Sequence, residues 1–119
     1  MRDLEEIYSI ISDVEILFFE NLDKLDEEAK KFLKENLEKV LKLLKEKSLD
    51  TKELKGILSE IKSVISEVSP EYKEERSQEI RHASIKALST ELADKSEGDK
   101  IIEIKNRSIS LVLGMLDAL

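Results

Sequence analysis

The sequence predicts an all-α fold: an antiparallel bundle of four to five helices, up and down with short loops, in a single domain over residues 1–119. Three observations predict it. Apolar residues recur at spacings of three and four along nearly the whole chain, the period of helices that bury one face. One Pro and three Gly in 119 residues are too few for the many turns of an all-β fold. Where the periodicity breaks, the residues are those that start helices. With 40% apolar residues, a chain of this length buries roughly two thirds of its unfolded surface and needs no staple to hold a core.

The first helix is expected over residues 3–21, where Leu4, Ile7, Tyr8, Ile11, Val14, Phe18 and Leu22 form a stripe that Ile10 and Leu17 widen. Asp26, followed by Glu27 and Glu28, reads as the cap and first-turn acids of a second helix. Ala29, Leu33, Leu37, Val40, Leu41 and Leu44 form its inner face, and Glu35→Lys39 and Glu38→Lys42 lie outside in the favourable order. Asp50 opens the third: it can accept from the amide of Glu53, Glu53 can reach back to Asp50, and Leu49 and Leu54 can close a hydrophobic staple. Its stripe is Leu54, Ile57, Leu58, Ile61, Val64, Ile65 and Val68. Ser69 and Pro70 read as cap and first residue of a fourth helix, unbroken from Glu71 to about Lys95. Gly98 suits a left-handed helix end, and Asp99 can cap a last helix over about 100–119.

Charge narrows the partners. Twenty Lys and Arg against 27 Asp and Glu give −7, and residues 1–25 hold seven acids against Arg2 and Lys24. Duplex-binding proteins present a basic face, and five aromatics are too few for a base-stacking platform, so no nucleic-acid partner is expected. No apolar run approaches the roughly 18 residues of a membrane span, and the acidic balance opposes docking on anionic lipid. Charged residues recur from Arg2 onward before any apolar stretch, so no export signal and a cytoplasmic location are expected. The absence of Cys removes disulfides, thiolate metal sites and Cys nucleophiles. Glu and Lys make 35 residues and Asn and Gln four, a thermophile-like bias.

His82 is the single histidine, and with Glu79 it forms a Glu-x-x-His pair on one helix face, the spacing that dinuclear carboxylate sites in ferritin-like bundles use. Glu75, one turn earlier, completes a candidate ligand set of Glu75, Glu79 and His82. Those sites take two such pairs where this chain supplies one, and all three residues share the polar face with Lys86. No metal and no cofactor are therefore expected. Arg76 and His82 also form an Arg-x5-His pattern that resembles the HEPN ribonuclease families, small helical bundles that often act as dimers. The resemblance implies His82 as acid–base group and Arg76 as stabiliser of a charged phosphate. On a continuous helix the two lie about 120° apart, which does not focus both on one phosphate. Glu71-Tyr72-Lys73-Glu74 with Glu91-Leu92-Ala93-Asp94 resembles the magnesium signature of MazG-like nucleotide pyrophosphatases, which implies a metal-bound triphosphate. On one helix, Glu74 and Glu91 stand about 25 Å apart, where the signature needs two facing helices.

Some charges fall inside the apolar arcs: Glu15 on the first helix, Lys105 on the last, and Arg76 beside Tyr72 and Ile80. Buried charges must pair or reach the rim, so these are expected at stripe edges or in polar contacts. The last helix has an apolar arc about 220° wide, more than one neighbour covers. It is expected to be central or to lie in a subunit interface, with Ile109, Val112, Leu113, Leu116 and Leu119 as interface residues. The expected function is a non-enzymatic interaction subunit or adaptor. It forms a homo-oligomer, or joins a larger complex, through the first and last helices. A HEPN-like ribonuclease using Arg76 and His82 is the alternative, and a carboxylate/His metal-binding bundle a third.

Overall fold

The computed structural model describes residues 2–119, leaving Met1 outside the described residues. The helices are α1 (Arg2–Asn21), α2 (Glu27–Lys45), α3 (Thr51–Glu67), α4 (Glu74–Glu91) and α5 (Glu97–Ala118), with one 3-10 turn, Leu22–Lys24, after α1. The chain is all-α over these residues, a helical bundle as the periodicity predicts.

Two helix starts follow the sequence closely. The Asp26 carboxylate accepts from the Ala29 amide at 2.8 Å, and that of Asp50 from the Glu53 amide at 3.0 Å. Each satisfies one of the orphan donors of a first turn. Glu53 makes no return bond to Asp50, so α3 has half of the capping box. Leu54 is buried in the core and Leu49 packs against the same core, the placement a staple calls for.

The boundaries of α4 and α5 differ from expectation. Ser69 and Pro70 do not start a helix; they form a turn in which the Tyr72 amide donates to Ser69 O at 3.4 Å. Lys73 is extended, and α4 begins only at Glu74. The physical reason is distance. α4 packs on the far side of α1, with no backbone approach to α3, so the chain must cross before it can coil again. At the other end α4 stops at Glu91, and Leu92 turns inward to be buried with Leu88, Leu4 and Ile104. Ser96, not Asp99, caps α5: its hydroxyl accepts from the Asp99 amide at 3.2 Å. Gly98 lies within the first turn of α5 and has no positive φ.

α1 is the centre of the bundle. It contacts α3, α4 and α5, while α2 contacts α3 and α5. Thus α1, α3, α2 and α5 form a closed ring with α1 and α2 on its diagonal, and α4 lies outside, over the back of α1. Ion pairs fix directions: Lys55 meets Glu6 and Lys62 meets Asp13, which sets α3 parallel to α1, while Arg76 meets Glu20, which sets α4 antiparallel. The main core takes Ile7, Ile11, Val14, Leu17 and Phe18 from α1, with residues such as Leu33, Leu37, Leu58, Ile61, Val112 and Met115 from the other three.

α1 therefore buries two faces. The first is the apolar stripe. The second is small and polar, with Ser9, Ser12 and Asp13 buried. Ser9 is tolerated there because its hydroxyl donates to Glu6 O at 2.7 Å within its own helix. Asn21 and Asn36 are satisfied the same way, by Leu17 O and Phe32 O.

Candidate functional site

The most concentrated polar chemistry lies where α1, α3 and α4 meet. Asp13 is 1% exposed. Lys62 Nζ lies 3.1 Å from its Oδ2, and 3.5 Å from Glu74 Oε2. The Asp13 contact has ion-pair length but is not aligned as a hydrogen bond, which leaves Oδ2 without a directed donor. The Lys62 ammonium also stands 5.4 Å from the Tyr72 ring centroid, while the Tyr72 hydroxyl donates to Glu74 Oε2 and Arg81 approaches Oε1 at 3.4 Å. Burial alone would lower the Lys62 pKa; the adjacent Asp13 carboxylate, with Tyr72, outweighs it and holds the ammonium above its ordinary value. The Tyr72 hydroxyl, helped by Lys62 and Arg81, holds Glu74 below the usual glutamate value.

This cluster borders an open cleft of about 300 Å³ between α3 and α4, lined among others by Lys55, Ser59, Lys62, Tyr72, Glu74 and Arg81. Each cation there already faces an acid: Lys55 with Glu6, Lys62 with Asp13, Arg81 with Glu74. The arrangement ties three helices together.

The residues singled out for catalysis are not brought to one point. Arg76 donates two bonds to the Glu20 carboxylate, at 2.8 and 2.6 Å, clamping α4 to α1. That pair lowers the Glu20 pKa and raises that of Arg76. His82 is exposed on the outer face of α4, as are Glu75 and Glu79. No group of three or more His, Asp or Glu that could hold a metal occurs among the described residues. Glu74 and Glu91 are the first and last residues of α4, so the two acidic pairs do not face each other. No helix among the described residues is long and apolar enough to cross a membrane.

The three charges inside apolar arcs find separate solutions. Arg76 pairs with Glu20. Lys105 Nζ donates to Glu46 O at 2.9 Å, placing a cation at the C-terminal end of α2 where the helix dipole favours it. Glu15 is half-buried, and burial raises its pKa.

α5 is a peripheral helix whose backbone approaches those of α1 and α2 alone. Ile104, Ser108, Val112 and Met115 face the core, and the Ser108 hydroxyl is satisfied by Ile104 O at 2.9 Å. About 110° round the helix runs a second row: Ile102, Ile109, Leu113 and Leu116. Ile102 is 59% exposed and Leu113 45%; Ile109 and Leu116 are half-buried. Of the expected interface residues, Leu113 is thus open and Ile109, Leu116 and Leu119 are partly so. Val112 is fully buried within the chain's own core, because it lies in line with Ile104 and Met115, and is not available to a partner. Ile102 belongs to the row and was missed; its spacing of seven residues from Ile109 is the signal. A Cβ at Gly114 would meet nothing, so this glycine marks no close helix crossing within the chain.

No family model matches the chain, and neither the curated proteins nor the solved structures contain a significant match to it.

Proposed function

We propose that this chain is a small non-enzymatic interaction subunit, at work in the cytoplasm, that self-associates through α5. The observation that carries the reading is the row Ile102, Ile109, Leu113 and Leu116, which the chain's own helices leave partly or largely uncovered. Exposed apolar rows of this kind mark association sites more often than isolated exposed side chains do. The expected contribution of the first helix falls away, because α3, α4 and α5 occupy its sides and Phe19 is its one large exposed apolar residue.

A second copy suits the row by symmetry. If two α5 helices cross antiparallel about a two-fold axis near Leu111, Ile109 of each chain meets Leu113 of the other. Isologous pairing of this kind is the commonest way a single patch covers itself. Sedimentation equilibrium at micromolar concentration tests it: a mass of twice 13.7 kDa is expected, and a 13.7 kDa monomer overturns the reading.

A further inference from the structure

The main core is built entirely by α1, α2, α3, α5 and Leu25; none of its buried residues lies on α4. α4 approaches the backbone of α1 alone and buries just Ser77 and Leu88 along its length. Leu88 joins the smaller cluster with Leu4, Leu92 and Ile104. Beyond that cluster, what holds α4 is charge, drawn from three different helices. Lys62 of α3 meets Glu74 at its start, Glu20 of α1 takes the fork of Arg76, and Arg107 of α5 donates to Glu91 at its end. The surface beneath is the small polar face of α1, where Ser9 is satisfied by its own helix and Asp13 already faces Lys62. Irregular segments join α4 to its neighbours on both sides, residues 68–73 and 92–96.

We propose that α4 is a hinged cover, held by ion pairs, that lifts from α1 as a unit while the ring of α1, α3, α2 and α5 stays folded. Lifting opens the small cluster of Leu4, Leu88, Leu92 and Ile104 but leaves the larger core untouched, so the hydrophobic term that locks the ring holds α4 only at its C-terminal end. It uncovers the Ser9–Ser12–Asp13 face of α1. It also parts Glu74 from Lys62 and Glu91 from Arg107, while Lys62 keeps Asp13 and Arg107 keeps Glu103. A detached helix of 18 residues is marginal in water, so each lifting event also melts α4 and exposes its amides.

Amide hydrogen exchange of the intact chain, followed by mass spectrometry at about 0.05 M and about 0.5 M NaCl, reads this directly, because salt screens exposed pairs. Amides in the middle of α4 should exchange at least about tenfold faster than mid-helix amides of α1 and α2, as sub-global opening requires. High salt should speed α4 and leave the ring unchanged. Arg107→Gln, at a surface position, should speed α4 about threefold, the loss of one exposed pair. Exchange of α4 in step with mid-α1 amides at both salt concentrations would overturn the proposal. So would fast exchange indifferent to salt and to Arg107→Gln, since that is fraying without a latch.

Discussion

Lys62 has the most to lose by substitution, because its neighbour cannot leave the interior. Lys62→Met strands the Asp13 carboxylate at 1% exposure with its one cation removed. Breaking a buried pair this way is expected to cost about 3 kcal/mol in urea unfolding. Asp13→Asn in the same chain should recover a large part of it, since the uncompensated charge is then gone; a double variant no better than the single one would locate the cost in lost packing over Tyr72. Asp50→Ala should cost about 1 kcal/mol, because the carboxylate holds the Glu53 amide at the start of α3. A change within error of zero would mean that this end of α3 frays. These two residues differ in how they could be read. A cap is a local device, so Asp26 and Asp50 stand out from a few neighbouring letters. Asp13 stands on what the helical wheel marks as a polar face, and its partner is 49 residues away on another helix. Nothing in the spacing joins them. Arg76 and Lys105 lie between these cases: apolar neighbours flag each as in need of a partner, but naming Glu20 or Glu46 O takes the packed bundle.

At the scale of the helix, α4 is where pattern reading fails. α1, α2, α3 and α5 carry strong apolar stripes, and the stripe decides which face turns inward. α4 has a narrow inner face of Ser77, Ile80, Ser84 and Leu88, meeting the equally small Ser9–Ser12 face of α1. Serine pairs of this kind carry no apolar period to find. The start of α4 was hidden as well, because Ser69-Pro70 has helix-start chemistry that the crossing over α1 overrides. Charge-held attachment predicts a pH dependence. Arg76 holds Glu20 below the usual glutamate value, and the Tyr72 hydroxyl does so for Glu74. Each carboxylate binds its proton more readily once α4 is detached. Its contribution is therefore complete above the ordinary value of 4.5 and is lost as pH falls through the lowered folded value. Glu15 has the opposite sign: burial raises its pKa, so it opposes folding at neutral pH and ceases to do so once protonated. Thermal melts should accordingly show that Glu15→Gln raises the melting temperature at pH 7 and loses that advantage in acid. Glu20→Gln should lower it at pH 7 and flatten its fall between pH 5 and 3, estimated at about the carboxylate range. Parallel acid profiles for Glu20→Gln and the parent would contradict the Arg76 clamp.

For the whole molecule, the fold class was legible in the periodicity and the placement of helices was not. The broad apolar arc of the last helix fits a central helix and an interface equally, on the same residues. Packing gives the centre to α1, whose polar back accepts a fifth helix, and leaves α5 at the edge with its second row uncovered. That gathers most of the exposed apolar surface, Phe19 apart, onto one helix and makes the self-association reading sharp enough to break. Leu113→Glu introduces a charge at the centre of the row, where a dimer would bury it unpaired, and should weaken association about 100-fold or more. Because Leu113 is 45% exposed in the single chain, the monomer's unfolding free energy should shift by no more than about 0.5 kcal/mol. The two measurements together separate a lost interface from a lost fold. Phe19→Glu, at an exposed position on α1, should leave the dimer intact.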